Sequence, residues 1–254
     1  MADEPAALRS VLRPADYVTL GNGLLGLAAT VLAVLGRVEA AYVVVLVTVL
    51  TDGVDGAVAR LGGGGGPLGG ILDTLSDLVA FVVAPAVLVY AEFYDREVLP
   101  WLPLPDSLQP MLWTNAGVLI VVAAFFVAGL LRLARFEYLG GGGRDDLFHG
   151  LTTPGGAIVV VAVALLGRVH SDVEWLPAAA LGLVLVAAAL MVSRLEVPKL
   201  RGPLVLPSLL VIGAAIAVGP RLSGLGPLLL LGFSLVYLAF GPAYVRARAR
   251  EDPA

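Results

Sequence analysis

The 254-residue chain contains no cysteine and has few charged residues. Without cysteine, the protein can form no disulfide bond, no thiolate metal site and no cysteine nucleophile. Lys, Arg, Asp and Glu make up 14% of the residues and apolar residues 59%, and the mean hydropathy is +0.93. These values lie far from the composition of soluble globular domains. The composition therefore predicts an integral membrane protein and leaves no room for a sizeable soluble domain.

The apolar residues fall into eight segments of the length that helices need to cross a bilayer. The segments are residues 17–36, 39–60, 68–93, 111–136, 152–169, 174–193, 203–219 and 225–245. Runs such as AAYVVVLVTVL are apolar on every face, whereas the strands of a membrane barrel alternate apolar and polar side chains. The sequence predicts an all-α, polytopic membrane bundle of about eight transmembrane helices, forming a single domain over residues 1–254.

The polar residues 1–16 precede the first segment and lack the basic-then-apolar order of a cleaved signal peptide. We expect a short cytoplasmic arm there. In an eight-helix topology, 12 of the 16 basic residues lie on one side of the membrane and four on the other. Because basic residues accumulate in cytoplasmic loops, both termini are predicted to face the cytoplasm.

Four aspartates interrupt the apolar pattern between the second and third segments. They lie in TDGVDGAVARLGGGGGPLGGILDTLSD, residues 51–77. Asp52 and Asp55 are three residues apart and Asp73 and Asp77 four apart, so each pair shares one face of a helix. The glycine-rich turn between the pairs predicts that the two helices are antiparallel neighbours. The four carboxylates should therefore meet at the cytoplasmic boundary of the membrane.

Four close carboxylates repel one another unless they are protonated or bind cations. A pair of divalent ions about 3.5–4 Å apart is one solution, and an all-oxygen site suits Mg²⁺ or Mn²⁺. The sequence thus predicts two such ions per site, which would attract a substrate that carries phosphates. A cation transporter could also place carboxylates within helices. Transporters commonly have related halves or broken helices, however, whereas these carboxylates lie near one boundary in a single helix pair.

Small and basic residues accompany the first aspartate pair. Gly56 and Ala59 lie on the same helical face, where a larger side chain would keep a ligand away from the backbone. Arg60 follows one residue later and is suited to bind a phosphate oxygen. Glycine-rich faces also serve helix packing alone, so both interpretations stay open for each residue.

The whole pattern resembles the signature of the CDP-alcohol phosphotransferases, D-x2-D-G-x2-A-R-x8-G-x3-D-x3-D. Every fixed position is matched, by Asp52, Asp55, Gly56, Ala59, Arg60, Gly69, Asp73 and Asp77. The resemblance implies an enzyme that transfers the phosphatidyl-type group of a CDP-linked lipid to an alcohol and releases CMP. It also implies a two-metal centre on the four aspartates, Asp77 as the general base, Gly69 within the CDP-lipid site, and a homodimer.

Further motifs look like the phosphatidylserine and archaetidylserine synthase branch of that family. They are DTLSDLVAFVVAPAVLVY from Asp73, LRLARF at 131–136, GLTTP at 150–154 and LMVS at 190–193. The start of the chain keeps Thr19, Asn22 and Gly26 of the branch pattern, whereas Ala15 and Thr152 depart from it. The similarity covers about residues 14–193 and implies L-serine as the acceptor. Asn22 would contact the CDP-lipid phosphates, or form an interhelical hydrogen bond.

A serine acceptor needs a cation for its carboxylate and an acceptor for its ammonium group. Arg132 and Arg135 reach the cytoplasmic end of the fourth segment, with Glu137 nearby, and a guanidinium can bind a carboxylate through two hydrogen bonds. The arginines could equally follow the positive-inside rule alone. Glycerol phosphate and inositol phosphate stay open as acceptors and should require further basic residues. We expect membrane lipids as partners, no nucleic acid, and an active site at the cytoplasmic face of the cell membrane.

Overall fold

The structure is a computed structural model that describes residues 12–61, 67–94, 116–139, 147–198, 205–218 and 224–251, without the side chains at 54–61, 67, 147, 198, 205 and 244–251. Within these ranges it contains eight helices and two short strands. The helices are α1 (Pro14–Val34), α2 (Val38–Leu61), α3 (Pro67–Asp77, then a π-helical stretch Leu78–Val83, then Ala84–Phe93), α4 (Gly117–Tyr138), α5 (Thr153–Val169), α6 (Leu176–Val192), α7 (Val205–Val218) and α8 (Leu225–Glu251). The strands are β1 (Leu147–His149) and β2 (Glu196–Pro198).

Several of these helices have the length and composition of membrane spans. The four that are long and apolar enough are Pro14–Val34, Leu68–Phe93, Gly117–Tyr138 and Leu225–Ala243. Three shorter apolar helices cover Thr153–Val169, Leu176–Val192 and Leu206–Val218. The prediction of a mostly helical membrane protein is confirmed. Eight transmembrane passages and two cytoplasmic termini stay predictions.

The predicted segments agree with the helices to within a few residues at most ends. The predicted arm at 1–16 is described only from residue 12, and α1 already begins at Pro14. Proline is favoured at this first position of a helix because it has no N–H to leave without a partner. The glycine-rich turn predicted between the two aspartate pairs, at residues 62–66, lies outside the described residues.

The strands β1 and β2 depart from the all-α prediction. They pair antiparallel, with Phe148 opposite Val197 and His149 opposite Glu196. Three residues are too few to display the alternation that identifies a strand in a sequence. The pair joins the residues before α5 to those after α6.

Helices α1 and α3 pack closely because small residues line their contact. A Cβ atom on Gly26 would lie 2.6 Å from the Cα of Ala80, and one on Gly23 would lie 3.0 Å from the hydroxyl of Ser76. That hydroxyl donates a hydrogen bond of 3.0 Å to the carbonyl of Thr19. Such close approach is a common basis of helix association in membranes. It fixes the register of α1 against the part of α3 that carries the aspartates.

The π-helical stretch Leu78–Val83 begins directly after Asp77. Pro85 has no N–H to donate to the carbonyl of Phe81, and its ring would clash with an ideal α-helical turn. A local π-helical turn accommodates such a disruption. The residues after Asp77 are therefore rotated about the helix axis relative to a continuous α-helix.

The outer faces of several helices are apolar. Leu24 on α1, Ile120 on α4 and Phe240 on α8 are each about two-thirds exposed, at 66%, 65% and 67%. Large apolar side chains with this exposure suit contact with lipid. The core between the helices is filled by aromatic and aliphatic side chains, of which Tyr42, Phe81, Phe93 and Phe125 are the largest that are fully buried.

An ion-pair cluster lies at the end of the bundle remote from the aspartates. Arg168 on α5 lies 3.3 Å from Glu92 of α3 and 3.6 Å from Glu39 of α2. Glu92 is buried, and removing the partner of a buried charge is strongly destabilising. These pairs tie α2, α3 and α5 together at that end.

Candidate active site

Three of the four aspartates meet where the end of α2 approaches the start of α3. One carboxylate oxygen from each of Asp52, Asp73 and Asp77 lies within 4.8 Å of the other two. Asp52 and Asp77 are half-buried and Asp73 is exposed. Asp55 follows Asp52 by three residues in α2, but its side chain lies outside the described residues. The structure thus confirms that the two helices bring carboxylates from both ends of the motif together.

These carboxylates fit a divalent metal centre. Three carboxylates at such distances are strongly repulsive unless a positive charge lies among them. Their donors are all oxygen atoms, the ligands that Mg²⁺ and Mn²⁺ prefer. Asp52, Asp73 and Asp77 are the described residues that would hold the metal.

Asn22 of α1 is connected to this cluster through Thr51. The Thr51 hydroxyl lies 2.6 Å from Oδ1 of Asn22, and 3.0 and 3.1 Å from the carbonyls of Thr48 and Val47. Asn22 is buried. The contact provides the interhelical hydrogen bond that the sequence allows and holds the Asn22 carboxamide against α2, at the residue before Asp52. Contact of Asn22 with a substrate stays a prediction.

Gly69 at the start of α3 lies against Asp16 of α1. A Cβ atom at Gly69 would lie 2.7 Å from Oδ1 of Asp16. Asp16 is buried, and its other carboxylate oxygen accepts a hydrogen bond of 2.7 Å from the backbone N–H of Arg13. Any side chain at position 69 would displace this carboxylate. Gly69 therefore has a structural role, and its contact with a CDP-linked lipid stays a prediction.

Four predicted site residues lie in the last part of α2, whose side chains the structure does not describe. They are Asp55, Gly56, Ala59 and Arg60. The backbone of α2 is helical through Leu61, so the helical spacing on which their shared face was predicted is present. Their roles stay predictions.

Arg132 approaches the aspartates from α4. Its guanidinium interacts electrostatically with Asp77, and only 7% of the residue is exposed. Nε donates a hydrogen bond of 2.9 Å to the carbonyl of Leu151, and Nη1 one of 3.2 Å to the hydroxyl of Thr153. The guanidinium carbon lies 5.9 Å from the ring centre of Phe148. The charge of Arg132 is thus held between Asp77 and the turn that precedes α5.

Arg135 lies one turn further along α4 and donates to backbone carbonyls. Its Nη1 lies 3.2 Å from the carbonyl of Ser193 and 3.5 Å from that of Val192. Its Nη2 donates to the carbonyl of His149 and lies 3.4 Å from that of Met191. The acceptors belong to the end of α6 and to β1. An acceptor alcohol that bound Arg135, as the sequence predicts, would therefore compete with these backbone carbonyls for its guanidinium.

A small, partly open pocket lies between α4 and β1. Its lining residues are Arg132, Arg135, Phe136, Leu139, Phe148 and His149. Arg132, which lines this pocket, also interacts electrostatically with Asp77. His149 is half-buried at this pocket.

Several residues of the site carry no clear signal in the sequence. Thr74 donates a hydrogen bond of 3.3 Å to the Glu137 carboxylate, which interacts electrostatically with Asp73. Tyr237 of α8 interacts electrostatically with Arg132. Neither Thr74 nor Tyr237 belongs to a spacing pattern, because each partner lies on a different helix far away in the chain.

Comparison with known proteins gives consistent matches. A family model described as CDP-alcohol phosphatidyltransferase matches residues 12–218, which include α1 to α7. The chain is 32% identical over 192 residues to the archaetidylserine synthase of Methanothermobacter thermautotrophicus, covering 74% of this chain and 70% of that protein. It is 31% identical over 193 residues to a CDP-diacylglycerol–serine O-phosphatidyltransferase of Methanocaldococcus jannaschii, covering 76% and 77%. A Saccharomyces cerevisiae protein of the same name is 30% identical over 171 residues, covering 62% and 55%.

Proposed function

The chain belongs to the CDP-alcohol phosphatidyltransferase family, and from this premise we propose that it transfers the phosphatidyl-type group of a CDP-linked lipid to the hydroxyl group of L-serine. CMP is the second product. The observation that carries the proposal is the cluster of Asp52, Asp73 and Asp77, in which one carboxylate oxygen of each residue lies within 4.8 Å of the other two. Relatives named for serine transfer favour serine over other alcohols.

We propose that Asp52, Asp55, Asp73 and Asp77 hold two Mg²⁺ or Mn²⁺ ions. The three carboxylates with described side chains fit such a centre, and Asp55 is proposed to join them because its spacing from Asp52 puts both on one helical face. When bound, the ions neutralise negative charge on the diphosphate and on the leaving oxygen.

The CDP-linked lipid is proposed to bind along α1, α2 and the start of α3. Its residues would be Gly56, Ala59, Arg60, Gly69 and Asn22. The small residues allow the ligand to approach the helix backbone, and Arg60 supplies a positive charge for a phosphate oxygen. Asn22 is buried and accepts a hydrogen bond from Thr51, the residue before Asp52. Its carboxamide N–H is proposed to donate to the diphosphate.

Asp77 is proposed to act as the general base. The serine oxygen attacks the lipid-side phosphorus and forms the new P–O bond, the bond from that phosphorus to CMP breaks, and Asp77 accepts the proton of the hydroxyl group. Arg132 interacts electrostatically with Asp77 and so can stabilise its ionised form before the proton transfer. No covalent intermediate with the enzyme is required, because the acceptor reaches the phosphorus directly.

The acceptor is proposed to bind in the pocket lined by Arg132 and Arg135. Among the described residues, Arg132 forms hydrogen bonds to Leu151 and Thr153 through Nε and Nη1. Its Nη2 is proposed to bind the serine carboxylate. The Glu137 carboxylate is proposed to supply the negative charge that the serine ammonium group requires. Glycerol phosphate and inositol phosphate would bring additional negative charge towards Glu137 and the aspartates, which disfavours both.

We further propose that the active site opens at the cytoplasmic face of the cell membrane and that the chain forms a homodimer. The distribution of basic residues supports the orientation. Both diacyl and isoprenoid-ether tails would meet the protein through apolar side chains, such as those exposed on α1 and α4.

Release of CMP by the purified chain tests the proposal. CDP-diacylglycerol and CDP-archaeol are each supplied with Mg²⁺ and with L-serine, glycerol 3-phosphate, inositol phosphate or no alcohol. We expect serine to stimulate CMP release well above the reaction without alcohol. Stimulation by a phosphorylated alcohol instead of serine would identify that alcohol as the acceptor. No stimulation by any alcohol would contradict the proposed function.

A further inference from the structure

Residues 147–153 and 190–198 form one connected unit, here called the α5–α6 junction. The backbone N–H of Gly150 donates a hydrogen bond of 2.7 Å to the carbonyl of Leu195, and that of Leu151 donates one of 2.9 Å to the carbonyl of Leu190. The strands β1 and β2 pair within the same unit. The junction therefore joins the start of α5 to the end of α6.

Gly150 shows how tightly the junction is built. Its φ is +80°, a conformation that glycine adopts without steric cost. A Cβ atom there would lie 2.6 Å from the carbonyl oxygen of Met191, 2.8 Å from that of Leu190 and 3.1 Å from that of Ser193. Three carbonyl oxygens thus converge next to Gly150 at the end of α6.

Arg135 supplies positive charge to this group of carbonyls. The last carbonyls of a helix lack intrahelical partners and carry partial negative charge, which basic side chains stabilise. Arg135 donates to Met191, Val192 and Ser193 from the end of α6, and also to His149 of β1. One guanidinium from α4 therefore contacts both halves of the junction.

The two arginines of α4 consequently differ in what they are free to bind. Arg132 uses Nε and Nη1 within the protein and interacts electrostatically with Asp77. Arg135 uses both terminal nitrogens for carbonyls of the junction. A carboxylate that bound Arg135 through both of these nitrogens would have to replace those bonds.

We propose that Arg135 is a positioning residue for the acceptor site, which holds the α5–α6 junction against α4 and does not itself bind the acceptor. Through the junction it places His149 at the pocket, and it places the Leu151 carbonyl where that carbonyl fixes Arg132. This proposal rests on the proposed transfer to serine, because the pocket whose shape Arg135 maintains is the proposed serine site.

Two substitutions disturb the junction from opposite sides. Arg135→Lys keeps the charge but loses the planar set of donors that reaches several carbonyls at once. Gly150→Ala keeps Arg135 and places a methyl group among the carbonyls. Arg194→Lys is the matched control, because Arg194 is an exposed arginine in the same junction.

We expect both junction variants to raise the KM for serine by about ten-fold or more, since small misplacements at a reacting site cost up to about 10²-fold. The KM for the CDP-linked lipid should change little. Hydrogen exchange should accelerate at the amides of Gly150 and Leu151 and stay unchanged in α1. Arg194→Lys should match the wild type in every measurement.

The proposal is overturned if Arg135→Lys raises the KM for serine while Gly150→Ala does not and the junction amides stay protected in both. That result would show direct binding of the acceptor by Arg135. Wild-type kinetics and exchange in Arg135→Lys would overturn it as well.

A milder variant keeps the proposal testable if Gly150→Ala does not fold. Ser193→Ala removes a hydroxyl that donates to the Leu190 carbonyl at 2.8 Å and accepts from the Leu195 amide at 3.3 Å. It should raise the KM for serine less but in the same direction, and an unchanged KM with accelerated exchange would contradict the proposal. If the wild type shows no serine-dependent CMP release, the proposed function fails, and hydrogen exchange in Arg135→Lys still decides whether Arg135 holds the junction.

Discussion

Thr51 on α2 and Asn22 on α1 are joined by a hydrogen bond of 2.6 Å between the threonine hydroxyl and the carboxamide oxygen. Asn22 is buried, and Thr51 directly precedes Asp52, one of the three clustered aspartates. The bond therefore links the orientation of the Asn22 carboxamide to the helix that carries Asp52.

Thr51→Val keeps the shape of the side chain and removes this hydrogen bond. We expect it to weaken binding of the CDP-linked lipid by about five-fold, which corresponds to the typical net contribution of about 1 kcal/mol from one hydrogen bond. Thr51→Ser retains the hydroxyl group and should bind like the wild type. Titration of both variants with the CDP-linked lipid measures the effect, and equal binding by the valine and serine variants would show that the hydroxyl has no role.

Asp77→Asn separates chemistry from binding. Asparagine keeps the size of the side chain and an oxygen that can bind metal, but it cannot accept the proton, so turnover should fall at least about 10²-fold. Binding of the CDP-linked lipid should stay within several-fold of the wild type, because the asparagine oxygen can still bind metal. Asp52→Asn also loses one anionic metal ligand but removes no proton acceptor, so its turnover should fall only as far as its binding weakens. Turnover and lipid binding are measured at saturating Mg²⁺. If Asp77→Asn keeps near-normal turnover, or if its defect is confined to binding, then Asp77 is not the general base.

Gly26→Ala tests the packing that sets α1 against α3. The new methyl group would lie 2.6 Å from the Cα and 2.8 Å from the backbone nitrogen of Ala80, so one helix must move. We expect a loss of about 1–3 kcal/mol in stability, as in other overpacked sites. Gly21→Ala in the same helix is the control, because no atom lies within 4 Å of its added Cβ. Thermal unfolding in detergent compares the two, and equal midpoints would refute the close packing.

The cysteine-free sequence allows a direct test of topology. Single cysteines at Gly64, Ser171 and Ala254 are exposed to a membrane-impermeant maleimide in sealed right-side-out vesicles. The 12-to-4 distribution of basic residues predicts that only the cysteine at position 171 is labelled before the vesicles are opened. External labelling at position 64 would place the aspartates on the opposite face of the membrane.

Much of the helical architecture can be predicted from the sequence because bilayer spans require long apolar runs. The predicted segment 152–169 corresponds to α5, which begins at Thr153 and ends at Val169. The approach of Asp52 to Asp73 and Asp77 is likewise predictable, since helical spacing and a short glycine-rich turn determine it.

The sequence does not predict the contacts made between distant segments. The bonds of Arg135 to four carbonyls depend on where α6 ends and on the pairing of β1 with β2. Because every residue has a backbone carbonyl, the sequence does not show which carbonyls will accept these bonds. The approach of Asp16 to Gly69 gives Gly69 a second role that the aspartate motif alone does not indicate. The Arg168 pairs with Glu39 and Glu92 join three helices whose relative positions no local pattern fixes.

Incorporation of radiolabelled L-serine into extractable lipid tests the central claim most directly. Purified protein in detergent is given labelled serine and either CDP-diacylglycerol or CDP-archaeol, with Mg²⁺, with Mn²⁺, or with a chelator after bound metal has been removed. We predict labelled lipid and an equal amount of CMP with either metal, no product with the chelator, and recovery when metal is restored. Full incorporation in metal-free chelator would contradict the metal centre on the aspartates, and no labelled lipid under any of these conditions would contradict transfer to serine.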